Sequence, residues 1–221
     1  MTATVIAIDG PSGVGKSSVS KETARRLGFG YLDTGAMYRA MAWLAHQRGV
    51  GDPGDVVELV RGAELEISTD PDAFAIEVDG IDVTDDIRDP EVAQFVQTVS
   101  AVPEARSELI ERQREIIAAA SPGIVVEGRD ITTVVAPQAP VRILMTADEA
   151  VRIARRAAEL HGAADAAHVD STRAQISDRD ARDAQTTNFT TAADGVVTLD
   201  TTHIGFDESV AAVLELIGDR T

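Results

Sequence analysis

Ile8-Asp9-Gly10-Pro11-Ser12-Gly13-Val14-Gly15-Lys16-Ser17 is the stretch on which the fold turns. It fits G-x-x-x-x-G-K-[ST], follows the apolar run Val5 to Ile8, and precedes a helical pattern from Ser18 to Leu27. A short continuous apolar run of this kind reads as a parallel strand buried on both faces. The glycines allow successive backbone N–H groups to converge on phosphate oxygens, and the helix N-terminus adds partial positive charge. Gly10, Pro11, Ser12, Gly13, Val14, Gly15, Lys16, Ser17 and Ser18 are therefore the expected donor-nucleotide site. Lys16 should reach the β- and γ-phosphates, and the Ser17 hydroxyl should bind Mg²⁺.

Outward from the loop, further apolar runs lie at 124–126, 141–145 and 196–199. Between and after them come helical patterns at 34–47, 104–119, 148–160 and 206–217. Strands alternating with helices predict an α/β fold, a parallel P-loop sheet flanked by helices. One segment breaks the alternation. Leu65 and Ile67, then Phe74, Ile76 and Val78, then Ile81 and Val83 are spaced two apart, with Asp79-Gly80 as a hairpin turn. Residues 63–88 therefore belong to an inserted antiparallel lobe.

The 221 residues suit a single domain with inserted lobes. A hydrophobic fraction of 44% with 26% charged residues is ordinary for a chain that folds alone. A net charge of −17 argues against a nucleic-acid or anionic-membrane surface, except where basic residues are gathered locally. They are gathered. Lys16 and Lys21 are the only lysines, whereas arginines cluster at Arg152, Arg155 and Arg156 and at Arg173, Arg179 and Arg182. Arginine is the planar, bidentate phosphate ligand. The absence of cysteine excludes disulfides, thiolate metal sites and cysteine nucleophiles. With no secretory pattern at residues 1–10 and no long apolar stretch, a cytoplasmic protein, expected as a monomer, is the reading.

A phosphate loop alone does not separate a kinase from a GTPase, a motor or a nucleotide-binding regulator. Guanine selectivity through an N/T-K-x-D element is excluded, because no lysine follows position 21. Arg152, Arg155 and Arg156 stand at i, i+3 and i+4 and share a helix face, which either closes over nucleotide or pairs with Asp148 and Glu159 on the helix surface. Residues 161–170 are either a mobile lid or a plain surface loop. Arg179 and Asp183, also i and i+4, can pair with each other, and Asp33-Thr34 can be no more than a helix start.

Leu32-Asp33-Thr34-Gly35-Ala36-Met37-Tyr38-Arg39, Glu127-Gly128-Arg129-Asp130 and Arg179-Asp180-Ala181-Arg182-Asp183, together with the opening motif, resemble bacterial cytidylate kinases over nearly the whole chain. The resemblance implies transfer of the γ-phosphoryl group of ATP-Mg²⁺ to CMP or dCMP. It also implies a core (1–33, 108–152 and 184–221), a monophosphate-binding lobe (34–107) and a lid (153–183). By the same resemblance Arg39, Arg129 and Arg179 hold the acceptor phosphate, and Arg106 and Asp130 read the base. Asp183 contacts the sugar, and Thr34 and Tyr38 lie by the acceptor. Lys16, Arg129, Arg155, Arg156 and Arg179 are the expected catalytic set, with Arg152 on ATP.

Base chemistry supports the pair independently. Cytosine offers an amino donor at N4 beside acceptors at N3 and O2, which match a carboxylate and an arginine, whereas uracil would be mispaired. The chain departs from its relatives at Ala184 and Thr186, where they carry arginines, and at Gln97, where they carry serine. The rivals are a kinase for UMP or shikimate and a regulator that binds ATP without turnover.

Overall fold

The computed structural model describes residues 4–161 and 166–218. Its main sheet has five parallel strands in the order β2-β6-β1-β7-β8. These are β1 (Thr4–Asp9), β2 (Gly30–Asp33), β6 (Gly123–Gly128), β7 (Val141–Thr146) and β8 (Val197–Asp200). β1 lies at the centre, where the connections part to either side, and the crevice at its carboxyl end is where such sheets bind ligand.

Alternation along β1 sends its side chains to two cores. Ile6 and Ile8 pack with Val19 and Ala24 of α1 (Lys16–Leu27) and with Val210 and Val213 of α8 (Phe206–Gly218). Ala7 faces the other way, against Leu32, Met37 of α2 (Thr34–Arg48) and Ile110 of α5 (Pro103–Ala119). Val125 and Val126 divide between the same two clusters, so β6 is apolar on both faces as a buried parallel strand must be.

The inserted lobe has a third core of its own. It contains α3 (Pro53–Gly62), β3 (Leu65–Ile67), β4 (Ile76–Val78), β5 (Ile81–Asp82) and α4 (Pro90–Ser100), packed on α2 and α5. The three short strands are antiparallel, as the two-residue spacing predicts. Asp79 and Gly80 take φ values of +51° and +75°, the left-handed pair that a tight hairpin requires. The helices α3 and α4 were not expected. Each begins at an Asp-Pro step, with Asp52 accepting from Gly54 N–H and Asp89 from Glu91 N–H.

α6 (Glu149–His161) and α7 (Ala166–Asp183) pack on each other beside the crevice. The expected irregular stretch at 161–170 is narrower than the composition suggests. α6 runs through His161 and α7 begins at Ala166, while the expectation for residues 162–165 falls outside the described residues. Among the described residues no helix is long and apolar enough to cross a membrane.

Candidate functional site

The loop between β1 and α1 closes tightly on its surroundings. Gly13 has a φ of +79°, and a Cβ there would sit 2.5 Å from the Arg152 carbonyl oxygen, so only glycine lets α6 approach. Lys16 is buried and its Nζ donates to the Pro11 carbonyl at 3.0 Å, across the loop it belongs to. Ser17 and Ser18 follow Lys16 in the first turn of α1 and are exposed at the surface.

Glu127, which ends the apolar part of β6, is a functional candidate that sequence reasoning met at the head of Glu127-Gly128-Arg129-Asp130 without giving it a site role. Its side chain is buried, accepts from the Tyr31 hydroxyl, and lies within electrostatic reach of Asp33 and Lys16. Burial pushes its carboxyl above the ordinary range, the negative charge of Asp33 adds to this, and Lys16 opposes it. The nearby Tyr31 phenol is likewise held protonated by burial and by the Glu127 charge. The signal was present in the sequence, as an acidic residue ending a buried parallel strand beside the phosphate loop.

Asp9 does the structural work at the loop's other end. Its buried carboxylate accepts from Ile131 N–H at 2.9 Å, Thr132 N–H at 2.8 Å and the Thr132 hydroxyl at 2.7 Å. Those donors open the short π-helical turn Ile131–Val135, directly after Arg129 and Asp130. Gly128 lets this segment approach α2, since a Cβ there would lie 2.6 Å from Thr34 Oγ1.

The predicted base readers meet. Arg106 on α5 donates from Nη2 to Asp130 Oδ2 at 2.7 Å, with side chains 16% and 11% exposed, which places the pair in a partly desolvated setting. Burial raises the Asp130 carboxyl above its ordinary range and Arg106 opposes the rise. Tyr38 closes the same corner. Its phenol is pushed up first by burial and then by the Asp130 charge.

Arg39 and Thr34 flank this corner from α2. Arg39 Nη2 pairs with Asp33 Oδ2 at 3.0 Å, while Asp33 Oδ1 accepts from Ala36 N–H and caps the helix. The helix start and the arginine site are therefore one feature. The Thr34 hydroxyl donates to the Glu127 carbonyl at 2.8 Å, so its proton faces β6.

Arg129 bridges the two halves. It donates to the Gly10 carbonyl, to Ser12 Oγ at 2.8 Å and, through Nε, to Asp183 Oδ2 at 2.9 Å, and its guanidinium lies 4.7 Å from the Phe189 ring centroid. Asp183 thus meets Arg129. The side chain of Arg179 lies outside the described residues, although its backbone is part of α7.

The α6 arginines divide. Arg152 donates to the Ser12 carbonyl at 2.9 Å and to Asp180 at 2.5 Å, so it covers the phosphate loop and does not pair along its own helix with Asp148. Arg155, expected in the catalytic set, is directed to backbone and hydroxyl oxygens. Its Nη1 and Nη2 are taken by Val14, Thr201 and Ile204, which braces the turn after β8 against the loop. Four buried or loop carbonyl and hydroxyl oxygens satisfy it there, and i, i+4 spacing cannot foresee such partners. Arg156 is half-buried on the same helix. Ala184 and Thr186, where relatives were said to carry arginines, line an open cleft of about 360 Å³ with Thr187, Asn188 and Thr190, and Gln97 is half-buried on α4.

Comparison with known proteins follows the same lines. The sequence model of a family described as cytidylate kinase matches residues 6–219. A cytidylate kinase of Streptomyces avermitilis is 44% identical over 221 residues, covering 99% of this chain and 94% of its own length. Another, of Cutibacterium acnes, is 44% identical over 216 residues, covering 96% and 95%. Among solved structures, an uncharacterized protein from Eubacterium ventriosum has a TM-score of 0.51 at 11% identity over 98% of this chain and 99% of its own, a likeness of fold alone.

Proposed function

The chain belongs to the cytidylate kinase family, and from that premise we propose that it transfers the γ-phosphoryl group of ATP to CMP or dCMP, giving ADP and CDP or dCDP. One observation carries the reading. The phosphate loop and an arginine–carboxylate pair of the kind cytosine needs are mounted on one frame, because Asp9 at the start of the loop holds the backbone that follows Arg129 and Asp130.

The acceptor phosphate is ionised and nucleophilic at neutral pH, so the chain needs no general base. Its task is to align two anions that repel each other and to neutralise the group in flight. Lys16 and the loop N–H groups hold the donor. Arg39 and Arg129, with Arg179 and Arg156 from the lid, are the arginines for the acceptor and the transferring phosphoryl. Arg106 and Asp130 read the base, with Tyr38 closing the pocket and Asp183 facing the sugar through its hold on Arg129. Arg152 covers the donor loop, and Arg155 shapes the turn beside it. In this reading residues 34–107 are the acceptor lobe and 153–183 the lid, whose closure excludes water and limits ATP hydrolysis.

Ser17 fits Mg²⁺, because it is an exposed hydroxyl directly after Lys16 in the first turn of α1, a hard oxygen ligand of the kind that Mg²⁺ takes. Bound there, the metal would supply charge neutralisation at the donor phosphates. The enzyme is read as a monomer acting in the cytoplasm, where its nucleotide substrates are found.

The test is ADP release with ATP-Mg²⁺ and, in parallel, CMP, dCMP, UMP, AMP and GMP, with Lys16→Ala as the blank. CMP or dCMP should be turned over and UMP far less. Asp130→Asn should lower kcat/KM for CMP by about a hundredfold or more, since a buried partner is left mispaired. Turnover of UMP in preference to CMP, or an Asp130→Asn enzyme indifferent to the change, would sink the base assignment. No acceptor-dependent turnover would leave only a nucleotide-binding regulator.

A further inference from the structure

The carboxylate of Asp180 on α7 stands at the most crowded point of the site. Oδ1 accepts from the Ser12 backbone N–H at 3.0 Å, Oδ2 accepts from Arg152 Nη1 at 2.5 Å, and Arg129 Nη2 lies 3.5 Å from Oδ1. The side chains of Asp180, Arg152 and Arg129 are 16%, 14% and 15% exposed, so these contacts are largely sheltered from solvent. Ser12 belongs to the loop whose backbone N–H groups converge on phosphate oxygens, and arginine is the preferred bidentate phosphate ligand. One loop N–H and two guanidinium groups are the donor set of a bound phosphate. Here they surround a carboxylate.

We propose that Asp180 stands in for a nucleotide phosphate in the nucleotide-free enzyme, as a positioning residue that pins α7 to the phosphate loop, keeps Arg129 and Arg152 turned inward, and gives way when ATP arrives. A phosphate oxygen and the Asp180 carboxylate cannot share the Ser12 N–H, and two anions a few ångströms apart repel each other strongly in a partly desolvated site. Asp183 supports the arrangement from one turn of α7 away by holding Arg129 Nε at 2.9 Å. With Asp180 in place the two arginines keep their orientation and their charge is matched before any substrate is present, so they need not be gathered from solvent when nucleotide binds. The inference rests on reading the phosphate loop as the donor site and is independent of the acceptor's identity.

A merely structural contact and a phosphate stand-in predict opposite results. Titration calorimetry of the full-length enzyme with ATP-Mg²⁺ and no acceptor compares wild type, Asp180→Asn, Asp180→Glu and Lys16→Ala. If ATP must displace the carboxylate, Asp180→Asn binds ATP-Mg²⁺ about three- to tenfold more tightly, the difference between a charged and a neutral hydrogen bond to the same donor. Asp180→Glu, which restores the charge, returns the affinity toward wild type. A structural role would instead loosen α7 and weaken binding. Equal or weaker binding by Asp180→Asn overturns the proposal.

A crystal structure of the wild-type enzyme with Mg²⁺ and a non-hydrolysable ATP analogue needs no variant to fold. The Asp180 carboxylate should have left the Ser12 N–H there, and a retained hydrogen bond beside bound nucleotide overturns the proposal equally. Failure of wild type to bind ATP-Mg²⁺ removes the donor reading and this inference together. ATP binding without turnover of any acceptor removes only the acceptor reading.

Discussion

At the scale of single residues, the site is a set of charges that burial makes uncomfortable until a partner arrives. Glu127 shows this best: it is 3% exposed, accepts from Tyr31, and lies within electrostatic reach of Asp33 as well as Lys16. Its folded pKa is raised above the ordinary 4.5, chiefly by desolvation, so the native state holds the proton more firmly than the unfolded chain does. By linkage, stability falls as the pH rises from that ordinary value through the raised one, and stays at the lower level above it. Glu127→Gln has no proton to lose. Its melting temperature relative to wild type should therefore climb as the pH is taken from acid to neutral, by about 2–4 °C for each kcal/mol that ionising Glu127 costs the fold. Asp9 and Asp130 are raised in the same direction, but they are present in both proteins and leave the difference almost unchanged. Calorimetric melting of both proteins across that range checks it. A gap that stays flat or narrows with pH would show that Glu127 is not held protonated by the fold.

At the scale of elements, the best-placed side chains do two jobs, and one of them was always harder to read. Asp33 ends β2, caps α2 through Ala36 N–H, and anchors Arg39. Asp33→Ala should lose about 1 kcal/mol of stability with the cap, whereas Asp33→Asn, which caps as well, should lose less than half of that. Urea unfolding of the pair measures it, and equal losses would mean that the cap contributes little and the Arg39 contact most. The cap was legible, because it is a local signal of residue type and spacing. So were the phosphate loop, the two-residue alternation of β3 to β5 and the left-handed turn at Asp79-Gly80. The caps of α3 and α4 carried the same Asp-Pro signal, yet they lie beside the antiparallel strands, whose alternation dominated the reading of the lobe. The Arg106–Asp130 meeting followed from resemblance and base chemistry. What periodicity could not give is the partner of each arginine. Arg152 and Arg155 share a helix face by spacing, but one covers Ser12 and the other is drawn to carbonyls of the turn after β8. That choice depends on which unsatisfied oxygens a distant segment brings within reach, and no local pattern records it.

At the scale of the whole molecule, a chain carrying a net charge of −17 is proposed to gather two anionic substrates. The arginines of the site act over a few ångströms and are already paired: Arg129 with Asp183, Arg152 with Asp180, Arg106 with Asp130 and Arg39 with Asp33. Close to the protein their donors are specific, but from a distance each pair is nearly neutral and the surplus of carboxylates dominates the field. The approach of ATP-Mg²⁺ should therefore be opposed at low ionic strength, where the Debye length is about 30 Å at 0.01 M, and released near 0.15 M, where it is about 8 Å. Measured by stopped flow with a fluorescent ATP analogue at constant saturating Mg²⁺, the association rate constant should rise by roughly twofold or more over that interval. The dissociation rate, set by contacts inside the screening length, should change less. This is the reverse of the behaviour of an enzyme that steers anions with a basic face. An association rate that falls with salt would mean that the crevice presents net positive potential outward despite the pairing of its arginines, and that the acidic surface is too remote from the entrance to be felt there.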